Sequence, residues 1–94
     1  MLNSKGRAEI FVSGRVQGVG YRFFTEDTAA ELNLRGFSKN LPDGRVQVEV
    51  EGEADSIKRF IEKLKTGPSA ARVLDVKIEW KNYEGFYADF SIRF

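Results

Sequence analysis

Cysteine and histidine are both missing from this chain of 94 residues, and each absence removes a branch of chemistry. Without cysteine there is no disulfide, no thiol nucleophile and no thiolate metal site, and a reducing compartment is permitted. Without histidine the usual acid–base group at neutral pH and the commonest metal ligand are gone. Any catalysis must therefore come from arginine, amides, hydroxyls, carboxylates or the substrate itself. Excess charge is lacking too: 15 Lys plus Arg against 14 Asp plus Glu leave a formal charge of +1. That balance argues against a dedicated polyanion binder, though it leaves room for a local basic patch. No apolar run approaches the roughly 18 residues of a membrane span, and "MLNSKG" has no signal-peptide core. A cytoplasmic protein without membrane contact is the expectation.

What is present suffices for one core. The aliphatic and aromatic fraction is 41%, which fits a compact globular domain rather than a disordered chain. A single domain over residues 7–94 is expected, behind a short flexible tail at residues 1–6. No repeat, low-complexity tract or internal linker divides it.

Hydrophobic periods give the order of elements. "AEIFVSG" alternates, with Ala8, Ile10 and Val12 on one side and Glu9, Phe11 and Ser13 on the other, as a strand does. Thr25, Ala29 and Leu32 fall near helical spacing, so a helix is expected from about Phe23 to Leu34. "RGFSKN" reads as a second strand. "LPDG" then turns the chain, since proline fixes φ and Asp-Gly tolerates the left-handed position. "RVQVEVEG" alternates and buries Val46, Val48 and Val50. Ala54, Ile57, Phe60, Ile61 and Leu64 define an amphipathic helix ended by Gly67 and Pro68. "VLDVKIEW" sets Leu74, Val76, Ile78 and Trp80 against Asp75, Lys77 and Glu79. The last segment sets Phe86, Ala88, Phe90, Ile92 and Phe94 against Tyr87, Asp89, Ser91 and Arg93. The order is βαββαβ with an additional C-terminal strand. It predicts an α+β ferredoxin-like sandwich, two helices on one face of a mixed, largely antiparallel sheet.

In such a topology the first and second strands run parallel with the third between them, so their C-terminal ends share one edge. "GRVQGVGYR", residues 14–22, leaves the first of these ends, and Asn40 lies at the second, about 10 Å away across two strand spacings. Arg22 and Asn40 are therefore expected to face one pocket. Gly18 and Gly20 carry no Cβ to block close approach, unpaired amides at a helix start favour an anion, and Arg22 adds a planar cation suited to phosphate. A plain strand-to-helix turn accounts for the same residues, because an isolated glycine-rich loop is a weak signal.

"GRVQGVGYR" resembles the acylphosphatase signature, and "GFSKNLPDGRVQVEVEG", residues 36–52, resembles that family's second signature, with Gly36, Asn40, Gly44, Val46 and Gly52 at the expected intervals. "GPSAARV" (67–73) and the closing Phe90-x-Ile92 are similar to the family as well. The likeness runs from about residue 8 to the end. Departures are Tyr21 for the commoner Phe, Phe37 for Trp, Asn33 for Gly, and Ser38 for a small apolar residue beside the active edge.

The resemblance implies hydrolysis of carboxyl-phosphate mixed anhydrides to a carboxylate and inorganic phosphate. Arg22 and the backbone amides of Gln17, Gly18, Val19, Gly20, Tyr21 and Arg22 would hold the phosphate, and Asn40 would position the attacking water. It implies no metal, no other cofactor and no covalent intermediate, a small-molecule acyl phosphate as the partner, no nucleic acid, and a monomer. The missing histidine fits, because a carboxylate with a conjugate-acid pKa of about 4 leaves without a general acid. Arg15 and Lys39 would steer an anion or stand as solvated charge. Glu49, Glu51, Glu53 and Asp55 are expected to follow from strand alternation and a helix start rather than from a metal site. Two alternatives stand beside the enzyme. One is an RNA-binding module of the RRM type, for which "GFYADF" is misplaced on the last strand. The other is a low-activity accessory domain like the N-terminal part of hydrogenase-maturation carbamoyltransferases. With no zinc-ligating cysteines after it, a free-standing enzyme is expected.

Overall fold

Alternating side chains build a five-stranded sheet, and two helices cover one of its faces. A computed structural model describes residues 4–94. Its elements are β1 (Lys5–Arg15), α1 (Tyr21–Glu31), β2 (Arg35–Asn40), β3 (Val46–Glu53), α2 (Ala54–Thr66), β4 (Arg72–Lys81) and β5 (Phe90–Arg93). The sheet order is β4-β1-β3-β2-β5, with only the β2–β5 pair parallel. This is the expected ferredoxin-like sandwich with its extra C-terminal strand. Part of the expected tail is sheet instead: Lys5 and Gly6 pair with Glu53 and Gly52. Residues 1–3 of that tail lie outside the described residues.

Ala8, Ile10 and Val12 of β1 meet Val50, Val48 and Val46 of β3, all fully buried. Ile57, Phe60, Ile61 and Leu64 of α2 close over them. Each such side chain removed from water contributes about 1.5–3 kcal/mol. Asp55 sits in the first turn of α2 and Lys63 and Lys65 in its last, each sign matched to the helix dipole.

The helix α1 starts two residues before the expected Phe23 and ends three before Leu34. Its C-terminus is a Schellman turn: Leu34 N–H donates to Ala29 O at 2.9 Å, and Asn33, at φ 57°, donates to Ala30 O. Asparagine tolerates that left-handed position better than most residues do, so the helix stops there.

Two alternations are broken. In β4 a bulge opposite Ser13 and Gly14 brings Val73 into register and turns Leu74 outward, 73% exposed, instead of into the face expected for it. Near the end of the chain only Phe90–Arg93 is strand. Residues 82–89 cross the sheet face opposite the helices, held by the Glu51 carboxylate, which accepts N–H bonds from Glu84 and Gly85 at 2.9 Å each and from Tyr87. Tyr87, not Phe86, therefore turns inward, its ring beside Phe37 and its hydroxyl donating to Glu49. Glu49 and Glu51 do share the face that strand alternation gives them, but both are buried.

Burial opposes the charge on Glu51, yet the amide bonds from Glu84, Gly85 and Tyr87 outweigh it and hold the pKa below the usual carboxylate range. A carboxyl depressed in the folded state stabilises above its unfolded pKa, and that contribution is lost as pH falls through the folded value. Glu51→Gln is expected to cost about 1–3 kcal/mol at pH 7. The difference from wild type in urea unfolding should shrink as pH drops below about 4.

Candidate active site

Val12, Val46 and Asn40 stand side by side across β1, β3 and β2. The chain leaving β1 just beyond Val12 therefore passes the end of β2. Val16 is buried and Val19 packs against the core, while Gly18 and Gly20 lie exposed between and after them. Two inward anchors hold the loop, and the backbone around them faces out. Gly18 and Gly20 have φ values of 73° and 78°, and a Cβ built on either would meet open space. The glycines are thus required by backbone conformation, and what they leave clear is the mouth of a cleft.

That cleft, of about 150 Å3, is lined by Val16, Gly18, Gly20, Tyr21, Arg22, Phe23 and Asn40. The structure brings Arg22 and Asn40 together as the topology predicts. Of the expected phosphate-binding stretch, Gly18, Gly20, Tyr21 and Arg22 line the cleft. Val19 turns its side chain to the core. Among the described residues, no backbone amide from Gln17 to Arg22 donates to another backbone carbonyl outside the regular helix and strand ladders, whereas Gly20 accepts from Phe24 at 3.0 Å. Gly20 caps α1 without a side-chain hydrogen bond, and no acidic residue occupies the first turn. The positive end of this helix is left for an anion, unlike that of α2.

Four arrangements at the site were not readable beforehand. Gln17, expected only as an amide donor, uses its side-chain nitrogen to donate to Leu41 O at 2.8 Å and Arg45 O at 2.9 Å. It clamps the loop to the hairpin that follows Asn40. The Tyr21 hydroxyl donates to Leu64 O at 2.7 Å, and burial pushes its pKa well up. Leu64 lies in the last turn of α2, where carbonyls lack helical partners, so the added hydroxyl answers one of them. Arg22 donates to Arg93 O at 2.9 Å and lies against the Phe94 ring. Thr25 and Ser38 meet through a buried hydroxyl contact of 3.0 Å. The signals were a glutamine amid glycines, a tyrosine on an apolar face, and a serine on an inward strand position.

The Asn40 Oδ1 atom is buried without a hydrogen-bond partner among the described residues. Buried polar atoms are nearly always paired, so this unpaired acceptor on a residue that lines the cleft is a candidate contact for an incoming group. Lys39 alternates to the other face of β2, and Arg15 is exposed at the end of β1, so neither lines this cleft. A larger hollow of about 220 Å3 beside Lys5, Arg35, Glu51 and Tyr83 lies at the opposite strand ends. There Glu51 is already engaged by amides. No group of three or more Asp or Glu side chains among the described residues is placed to hold a metal ion.

The chain and its fold have known relatives. The acylphosphatase family model matches residues 8–92. An acylphosphatase of Nostoc sp. is 49% identical over 79 residues, 84% of this chain and 78% of that protein. The crystal structure of an acylphosphatase from Bacillus subtilis superposes with a TM-score of 0.91 at 35% identity, covering 95% of this chain and 99% of that one. Full-length HypF, in a phosphate- and nucleotide-bound form, matches 99% of this chain with only 12% of its own length, at TM-score 0.88 and 31% identity. The chain belongs to the acylphosphatase family.

Proposed function

We propose that the amides from Gln17 to Arg22 and the Arg22 guanidinium hold the phosphoryl group of an acyl phosphate while the Asn40 carboxamide aims a water at phosphorus. The chain is an acylphosphatase-type hydrolase by its family, and these assignments say how its cleft would do that work. The orphaned Oδ1 of Asn40 carries the reading, because it is a buried acceptor on the wall opposite the loop amides. It would accept one O–H of the water and leave an oxygen lone pair directed at phosphorus.

Attack forms the new P–O bond as the bond to the acyl oxygen breaks, and the electron pair leaves on the carboxylate. That product is a weak base, so no side chain has to protonate it. A phosphate oxygen takes the proton of the water. Charge gathers on the equatorial oxygens, where fixed amides and a guanidinium stabilise it without reorganising. Arg22 uses one N–H on Arg93 O, which orients the fork and leaves other donors for phosphate. All these contacts grip phosphate, so the cleft suits small acyl phosphates of differing acyl groups.

The RNA-binding alternative gains no support. Tyr83, Phe86 and Tyr87 sit in the irregular 82–89 segment, and the central strand β3 presents Glu49 and Glu51 to that face. The balanced charge of the chain likewise favours a small-molecule partner.

Arg22→Ala should raise KM and lower kcat together, because the cation meets phosphate in the ground and transition states. Arg22→Lys should recover little, since an ammonium cannot reproduce the planar fork. Phosphate release from an aromatic acyl phosphate measures both. Asn40→Ala should lower kcat by ~10²-fold or more with little change in KM; an unchanged kcat would remove Asn40 from its role.

A further inference from the structure

Two buried hydroxyls join the elements that carry Arg22 and Asn40. Thr25 Oγ1 lies 2.6 Å from the Arg22 carbonyl oxygen and 3.0 Å from Ser38 Oγ, and both side chains are fully buried. A carbonyl only accepts, so Thr25 gives its single proton to Arg22, and the bond between the hydroxyls must run from Ser38 to Thr25. The order is Ser38 O–H to Thr25 O–H to Arg22 C=O. Bonds aligned in this way polarise one another.

Ser38 precedes Asn40 by two residues on β2 and so shares its sheet face. Its neighbours in register are Val48 and Ile92, an aliphatic setting. A hydroxyl placed there costs free energy unless paired, and two apolar side chains of the same shape would be nearly neutral. What a hydroxyl pair adds is direction. Apolar surfaces slide past one another at little cost, whereas two directional hydrogen bonds in series fix the first turn of α1 against the end of β2.

We propose that Ser38 and Thr25 are positioning residues that hold Arg22 and Asn40 in register, so that the phosphate grip and the aim of the water coincide. The proposal rests on the roles given above to Arg22 and Asn40. Among the described residues nothing hydrogen-bonds to Asn40 Oδ1, so its placement follows β2. The Arg22 guanidinium is steadied separately by Arg93 and Phe94. Loosening the hydroxyl pair should therefore disturb the water more than the phosphate.

The test is steady-state hydrolysis of an aromatic acyl phosphate, with the inhibition constant of inorganic phosphate as a separate measure of the grip. Ser38→Ala and Thr25→Val should each lower kcat about tenfold, as a small misalignment of reacting groups does. KM and the inhibition constant should stay within about threefold of wild type. Thr25→Ser keeps the hydroxyl and should keep kcat. Added to Asn40→Ala, Ser38→Ala should have no further effect, because the group it positions is gone. Wild-type kcat in Ser38→Ala and Thr25→Val, beside a slow Asn40→Ala, overturns the relay and spares the reading of the cleft. So does a Ser38→Ala loss that multiplies fully with that of Asn40→Ala. An active Asn40→Ala overturns the role of Asn40 and the relay with it. If circular dichroism shows Ser38→Ala unfolded, Thr25→Val against Thr25→Ser decides, and equal kcat values overturn the proposal.

Discussion

The stretch from Gln17 to Arg22, whose backbone N–H groups make no loop hydrogen bond to a backbone carbonyl among the described residues, is the constraint that the rest of the chain serves. Such groups bind an anion well only if they already point the right way, since ordering them on binding would cost conformational entropy. The fold holds them from several sides. Val16 and Val19 root the loop in the core, Gln17 ties it to the hairpin after β2, and Gly20 takes the left-handed turn into α1. Tyr21 then anchors the first turn of α1 to the last turn of α2 through Leu64. Every one of these restraints acts within a few residues of the cleft.

The sheet makes the opposite wall equally firm. Because β3 separates β1 from β2, the loop and Asn40 arrive from two parallel strands that share a single central neighbour. The hairpin joining Asn40 to β3 is closed by Leu41 N–H to Arg45 O at 2.8 Å and by Gly44 N–H to Leu41 O at 3.1 Å. Gln17 bonds to carbonyls of the same hairpin. The two sides of the cleft are therefore parts of one hydrogen-bonded frame, not separate loops.

How much of this was legible follows from the reach of each interaction. Period-two alternation in "RVQVEVEG" placed β3, and the three- and four-residue steps from Ala54 to Leu64 placed α2, because an apolar face imposes its period directly. The same rule failed at Leu74, where a bulge shifts the pleat by one residue, and at Phe86 and Tyr87, where Glu51 captures amides instead of letting the alternation run on. Arg22, Asn40 and the two glycines could be found from motif spacing. The Gln17 clamp, the Arg93 carbonyl on Arg22 and the Thr25–Ser38 contact could not, since side-chain bonds across 13 to 71 positions depend on tertiary approach alone. Ser38 stood out as a departure from the family pattern, and Thr25 is the partner that answers it.

The bulge in β4 and the brevity of β5 matter beyond the site, because these are the two outer strands of the sheet. An outer strand offers unpaired N–H and C=O groups to any other extended peptide, and flat, apolar ones recruit copies into aggregates. Here one border is bent near Leu74 and carries Asp75, Lys77, Glu79 and Lys81 in alternation, while the other has only Phe90–Arg93 to present. Both borders discourage strand addition, so the same distortions that spoil the regular pattern also guard against polymerisation.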